Sequence, residues 1–307
     1  MPAPLYLLTG PTASGKSALA LAWAQAHGAE ILSCDSLQVY RGMDLGTAKP
    51  TPAEQQLAPH HGLDLCDPSH TFSIAEYRDY AAKTVAAIHA RGKTVLVVGG
   101  SGFYLKSFFA PVADDVEISP AIEAEVTALE KSGGLEGLIA RLKIASPAGT
   151  GTVDLKNPRR VSRALLRCLA SGKSVPELAE SFAQQGTPFD HLEKKLVRLE
   201  RTADDLATRI RARTQKMLAD GLIDEVKKLA PALRANPAAA KAIGYRETLE
   251  WLNQGSKTPL SELAELITVH TQQLIRKQRI WFRGQLPEHK VIELFGDALP
   301  AVSSLFK

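Results

Sequence analysis

Cysteine is scarce in this chain: Cys34, Cys66 and Cys168 are the only three in 307 residues, and no Cys-x-x-Cys pair occurs. An odd, scattered set of thiols indicates neither a disulfide framework nor a zinc knuckle. No apolar run approaches the ~20 residues that a membrane-spanning helix needs. Met1-Pro2-Ala3-Pro4 lacks the basic start of a secretory signal. The expectation is therefore a cytoplasmic protein that does not engage a membrane. Internal repeats and low-complexity tracts are missing too, which excludes solenoids and fibrous chains. What remains is ordinary globular material, 45% hydrophobic and 23% charged. Its length lies where one core begins to give way to two lobes, so one full domain plus an insertion is expected.

Charge of one sign is locally missing in an informative way. The net charge is only +4. Residues 1–112 carry 8 basic and 8 acidic side chains, residues 113–198 carry 12 of each, and residues 199–307 carry 17 against 13. The whole surplus sits in the last third, which suggests a polyanionic partner. Arg159, Arg160, Arg163 and Arg167 recur at helical spacing with no acid from Lys156 to Arg167. Arg276, Arg279 and Arg283 form a second stripe with no acid between His270 and Arg283. A merely solvated helix face usually alternates sign, so both stripes are candidates for phosphate-backbone contact. His60-His61 has no second ligand cluster at a useful spacing and is not read as a metal site.

The order of elements gives the fold class. Leu5–Thr9 reads as a strand, followed by a glycine-rich loop and a helix from Ala18 to His27 that Gly28 stops. Glu30–Ser33 and Thr94–Val98 read as further strands, the latter unbroken in apolar content as in a sheet covered on both faces. Between them lies a long polar stretch, then a helix capped by Ser73 and running to Arg91. After Pro111 only helices are expected: Pro120–Lys131, Leu135–Ala145, Pro158–Ser171 and Pro176–Gln184. Lys194–Leu199 returns as a strand, then come helices at Asp204–Ala219, Ile223–Leu229, Arg246–Asn253 and Leu260–Phe282, and a last strand at Lys290–Phe295. The expected fold is α/β: a P-loop NTPase-like parallel sheet core over residues 1–112 and 191–307, with an all-helical insertion domain over 113–190.

Gly10-Pro11-Thr12-Ala13-Ser14-Gly15-Lys16-Ser17 satisfies G-x-x-x-x-G-K-[ST] between a strand and a helix. Successive backbone N–H groups can turn inward there, the helix start adds roughly half a positive charge, Lys16 a full one, and Ser17 a hydroxyl for magnesium. A diphosphate or triphosphate is the natural guest. The reaction is not fixed by this motif, because P-loops serve ATPases and kinases alike. The Thr94–Val98 strand ends in Gly99-Gly100-Ser101-Gly102, with no acid for a motor ATPase. The acid at a strand end facing the loop is Asp35, at the mouth of the sheet where ligands of open α/β folds collect.

With these residues in view, the chain resembles the tRNA dimethylallyltransferases, also called tRNA isopentenyltransferases. The P-loop, Asp35-Ser36-Leu37-Gln38-Val39-Tyr40, Gly46-Thr47-Ala48-Lys49-Pro50 and His60-His61-Gly62-Leu63-Asp64 are similar to that family's blocks in order. So are Gly99 to Tyr104, Asn157 to Val161, Ala242 to Arg246 and Arg276 to Arg283. The resemblance implies transfer of a dimethylallyl group from dimethylallyl diphosphate to the exocyclic amine of an adenine beside the tRNA anticodon, with Mg2+ as cofactor. It implies Asp35 as base, and Ser101 and Lys16 as stabilisers of the leaving diphosphate. Residues 10–17 and Arg213 would hold the diphosphate, with Arg209 the runner-up to Arg213. Ser36 and Gln38 would hold the flipped adenine with Asp35 facing its amine, and Asp35, Ser36, Leu37 and Gln38 together would contact the tRNA. Further tRNA contacts would come from Arg159, Arg160, Val161, Arg163, Lys241, Gly244, Tyr245, Arg246, Arg276, Lys277, Gln278, Arg279 and Arg283. The chain is expected to act as a monomer on the tRNA anticodon loop. It departs from the family pattern at Ser101 and Ile280, commonly threonine, and at Gln272, commonly basic. Rival readings are a P-loop kinase of a small metabolite, prenylation of free adenine nucleotides, and an RNA-binding nucleotide switch.

Overall fold

The computed structural model describes residues 4–114, 116–296 and 298–307. The chain forms two compact units, one of Met1–Ala110 with Pro188–Lys307 and one of Pro111–Thr187.

In the first unit the chain runs β1 (Leu5–Thr9), α1 (Lys16–His27), β2 (Glu30–Ser33), α2 (Pro52–Leu57), β3 (His60–His61), α3 (Ile74–Ala90), β4 (Val95–Val98) and α4 (Gly102–Lys106). The second unit supplies α5 (Pro120–Ala145), α6 (Pro158–Ser171) and α7 (Val175–Ala183). The first unit then resumes with β5 (Lys194–Arg201), α8 (Ala203–Ala219), α9 (Leu222–Ala235), α10 (Pro237–Ala240), α11 (Tyr245–Asn253), α12 (Leu260–Gln285) and β6 (Lys290–Leu294).

The six strands lie in the order β3-β2-β4-β1-β5-β6, and every pairing is parallel. Leu5 sits beside Val95 on one side and Lys194 on the other. Successive side chains on a strand face opposite ways. Leu5 and Leu7 of β1, Leu32 of β2, and Val95 and Val97 of β4 therefore join α3, α4 and α12 in one core. Leu8, Ile31, Leu96 and Val197 join Leu19 and Trp23 of α1 in the other. Both faces are covered, which is why these strands are unbroken apolar runs rather than alternating ones.

The polar stretch after β2 holds more regular structure than its sequence suggests. Thr51 and Glu54 form a capping box that starts α2, and β3 pairs with β2 at the sheet edge. Helix α2 buries no residue and β3 has two, so neither leaves a periodic trace in the sequence. His61 donates across to the buried Glu30 at 2.6 Å, and Arg91 holds the same carboxylate. Helix α9 continues through Pro231 to Ala235, beyond the expected stop at Leu229. A proline ring deletes one hydrogen bond but does not forbid a further turn when packing supports it, and Leu233 is fully buried there.

In the second unit the two expected helices abut at Gly134, whose φ of 57° breaks the α geometry inside α5. Asn157 accepts the Arg160 N–H to cap α6, and Gly172 ends that helix in the left-handed region. The small core of this unit is built from Val126, Leu138, Leu142, Val161, Leu165 and Leu178.

Candidate active site

A cavity of about 1160 Å³ opens in the first unit at the carboxyl ends of the strands. It is lined mainly by the P-loop after β1, the loop after β2, the Gly99–Gly102 loop after β4, and the inner faces of α8 and α12.

The P-loop is shaped mostly by itself. Gly15 is left-handed, at φ 96°, where it precedes α1, a conformation only glycine adopts without strain. The Lys16 ammonium folds back and donates to the carbonyls of Gly10 and Pro11 at 2.9 and 2.8 Å. Burial pushes the Lys16 pKa down to about 8, opposed by the Asp35 carboxylate and assisted by the Arg213 guanidinium. Arg213 of α8 is likewise lowered by burial and supported by Asp35. The cations and the carboxylate thus act on one another inside the cavity. The Ser14 hydroxyl is buried with no hydrogen-bond partner among the described residues, and Ser17 is exposed on the same wall. Arg201, at the end of β5, steadies the loop from behind. Its Nε donates to the Ser14 carbonyl at 2.9 Å, while Asp205 and the Gly296 carbonyl hold its other end.

Opposite lies Asp35, half-buried, with Oδ1 accepting the Leu37 N–H at 2.9 Å. The next residue joins a different loop: the Ser36 N–H donates to Ser101 Oγ at 2.9 Å, and Ser101 Oγ donates to Ser36 Oγ at 3.2 Å. Gln38 accepts the Ser33 hydroxyl at 2.8 Å and donates to the Thr47 and Ala48 carbonyls. Tyr104 stacks on Tyr77 at 3.8 Å and lines the cavity. Its hydroxyl is buried with no partner among the described residues. Burial and the nearby acids push its pKa up, so it remains a neutral donor.

Thr12 to Ser17, Asp35 to Gln38, Ser101, Arg213, Lys277 and Gln278 all line this one cavity. Gly10 and Pro11 lie beneath it, as acceptors for Lys16. Other residues singled out from sequence fall elsewhere. Tyr245 is fully buried and donates to Glu225 at 2.5 Å, so its ring supports the Gly46 turn instead of presenting itself to a ligand. Gly244 is buried, Arg246 is held by Glu247 and His270, and Lys241 is exposed. Val161 is core in the second unit, while Arg159, Arg160 and Arg163 are exposed around it.

The acid-free stripes are acid-free only in sequence. Arg279 donates to Glu200 Oε1 at 2.6 Å and to the Arg201 carbonyl. Arg167 pairs with Asp114, and Arg160 with Asp154 at 3.7 Å. Arg276 and Arg283 remain exposed. Arg209, the runner-up, is pinned by Asp205 and the Gly296 carbonyl. Glu225, which accepts the Asp44, Leu45 and Gly46 N–H groups as well as Tyr245, carries no signal in the sequence that would single it out.

Among the described residues no His, Cys, Asp and Glu grouping is able to hold a metal by itself. A hard cation that leans on phosphate oxygens and water asks for little more than the Ser17 hydroxyl, and the donors here suit that arrangement.

A family model described as IPP transferase matches residues 38–285. The tRNA dimethylallyltransferase of Opitutus terrae is 52% identical over 290 residues, covering 94% of this chain and 92% of its own. The full-length tRNA isopentenylpyrophosphate transferase of Bacillus halodurans superposes with a TM-score of 0.65 at 30% identity, over 94% of this chain and 89% of its own. A eukaryotic dimethylallyltransferase acting on tRNA shares the fold, with a TM-score of 0.79 over 95% of this chain and 74% of its own at 23% identity. Cavity, strand order and these likenesses agree, and the chain belongs to the IPP transferase family, that of the tRNA dimethylallyltransferase enzymes.

Proposed function

We propose that the chain transfers a dimethylallyl group from dimethylallyl diphosphate to the exocyclic N6 of the adenine 3′ of the anticodon in tRNA. The observation that carries this reading is the pairing, in one cavity, of a carboxylate with two half-buried cations that feel it electrostatically. An adenine amine is a weak nucleophile because its lone pair is delocalised into the ring. Asp35 takes its proton as nitrogen bonds to the allylic carbon. The carbon–oxygen bond breaks, and its electron pair leaves with the diphosphate.

Lys16, Arg213 and the P-loop N–H groups, with the Ser14 hydroxyl, receive the leaving group, and Ser101 orients the Asp35 loop through Ser36. Ser17 would hold a magnesium ion, which supplies further neutralisation of the diphosphate when bound. The base has to leave its stack to reach Asp35, as for other enzymes that work on a nucleobase. Gln38 and Ser36 border the place where it arrives. Arg159, Arg160 and Arg163 on α6, Lys241, and Arg276, Lys277 and Arg283 on α12 offer the tRNA backbone exposed cations. A tRNA substrate makes the cytoplasm the compartment of the reaction.

The test is mass analysis of nucleosides from unmodified tRNA treated with the protein, Mg2+ and dimethylallyl diphosphate. A five-carbon addition at the adenine beside the anticodon is expected. Turnover of ATP without prenyl transfer, or preference for AMP over tRNA in competition, would replace this reading with a kinase or a nucleotide prenyltransferase.

A further inference from the structure

Gln278 was expected to touch tRNA, yet both polar ends of its half-buried side chain are occupied within the protein. Its Oε1 accepts the Thr12 N–H of the P-loop at 3.1 Å. Its Nε2 donates to the carbonyl of Gly100 in the loop after β4 at 3.2 Å. A neutral amide presents an acceptor and a donor side by side on one rigid plane, so one side chain ties two loops from different strands.

The geometry points to Gln278 as a positioning residue that sets the separation between the diphosphate cradle and the Asp35 carboxylate. A continuous path connects the two. Thr12 is bonded to Gln278, Gln278 to Gly100, and Gly100 precedes Ser101, whose hydroxyl is bonded to both the backbone and side chain of Ser36, the neighbour of Asp35. Packing enforces the same spacing. A Cβ on Gly100 would lie 3.0 Å from Gln278 Nε2, and a Cβ on Gly102 would lie 2.7 Å from the Trp281 indole. Residues 278 and 281 are three apart on α12 and share a face, so the helix presses on the loop at two successive points.

Such a spacer matters because in-line transfer is sensitive to sub-ångström distances between nucleophile, carbon and leaving group. The neighbouring Lys277 is exposed and lines the same cavity. Helix α12 therefore offers cations outward while fixing the reacting distance inward.

This inference rests on the prenyl-transfer reading, and the test separates the two. Gln278→Met removes both hydrogen bonds at similar volume. Gln278→Glu keeps the acceptor for Thr12 but turns an oxygen toward the Gly100 carbonyl. Steady-state kinetics with tRNA and dimethylallyl diphosphate are expected to show kcat lowered by roughly ten- to a hundredfold in both variants. The KM for tRNA should remain within about twofold of the parent, since no RNA contact is lost. A raised tRNA KM with unchanged kcat would make Gln278 an RNA contact after all. A lowered melting temperature with unchanged kcat per folded molecule would make it merely structural. Either result overturns the positioning role. Absence of prenyl transfer in the parent protein would instead sink the functional reading beneath it.

Discussion

The two ends of the cavity are assembled differently. At the cationic end most of the cradle is local: Lys16 reaches back only to Gly10 and Pro11, with support from afar in Arg213, in Arg201 behind Ser14 and in Gln278 at the Thr12 N–H. At the carboxylate end Asp35 has one local bond, to Leu37. Its neighbours are held by Ser101, 65 residues away, and through that loop by Gln278 on α12. A local cradle can bind an anion before the rest of the site is in order. A carboxylate held by remote partners becomes competent only when the whole first unit is folded. Affinity for diphosphate and rate of transfer should therefore respond to different mutations.

Asp35→Asn gives the sharpest separation. Prenyl transfer should fall by ~10² or more, while equilibrium binding of inorganic pyrophosphate and of tRNA stays within about threefold. Comparable loss of all three would mean that the two ends are not independent. At the other end, Lys16→Met removes a charge-assisted hydrogen-bond donor, and calorimetry should show pyrophosphate affinity weakened roughly ten- to a hundredfold.

The pH dependence has a definite sign. Lys16 binds the anion as its protonated form, and burial brings its pKa in the free protein down to about 8. Pyrophosphate affinity should hold below that pH and decline as pH rises through it, because binding must then recruit a proton. A profile that stays flat from pH 7 to 9, after correction for the ligand's own ionisation, would deny Lys16 this role. In Lys16→Met the protein's contribution to the decline should vanish.

The smallest effects come from the arginines. Arg163→Ala on α6 and Arg283→Ala on α12 should each reduce the salt dependence of tRNA binding by about one unit. Arg279→Ala should leave that slope alone and lower thermal stability instead, since its guanidinium is committed to Glu200 and the Arg201 carbonyl. A changed slope for Arg279→Ala would restore it to the RNA-facing set.

These arginines show where reading the chain as a line falls short. Arg276, Arg279 and Arg283 look equivalent in sequence, and only folding brings Glu200 to one of them. Likewise Asp114 reaches Arg167. Short elements escaped for another reason. Helix α2 buries nothing and β3 is two residues long, so neither has a period to detect. Tyr245 and Gln278 lie in blocks that suggest RNA contact, yet Glu225 claims one and the two glycine loops claim the other.

By itself the sequence determined what depends on neighbours along the chain: apolar strands buried on both faces, the capped helices, the phosphate loop with its lysine, and an acid at the end of the second strand. Local backbone geometry and hydrophobic period suffice for these. Tertiary structure alone decided which charges are neutralised, which polar groups are left facing the cavity, and how far the cradle stands from the carboxylate. Electrostatics and hydrogen bonding depend on distance in space, and in this protein the deciding contacts join residues up to 266 positions apart.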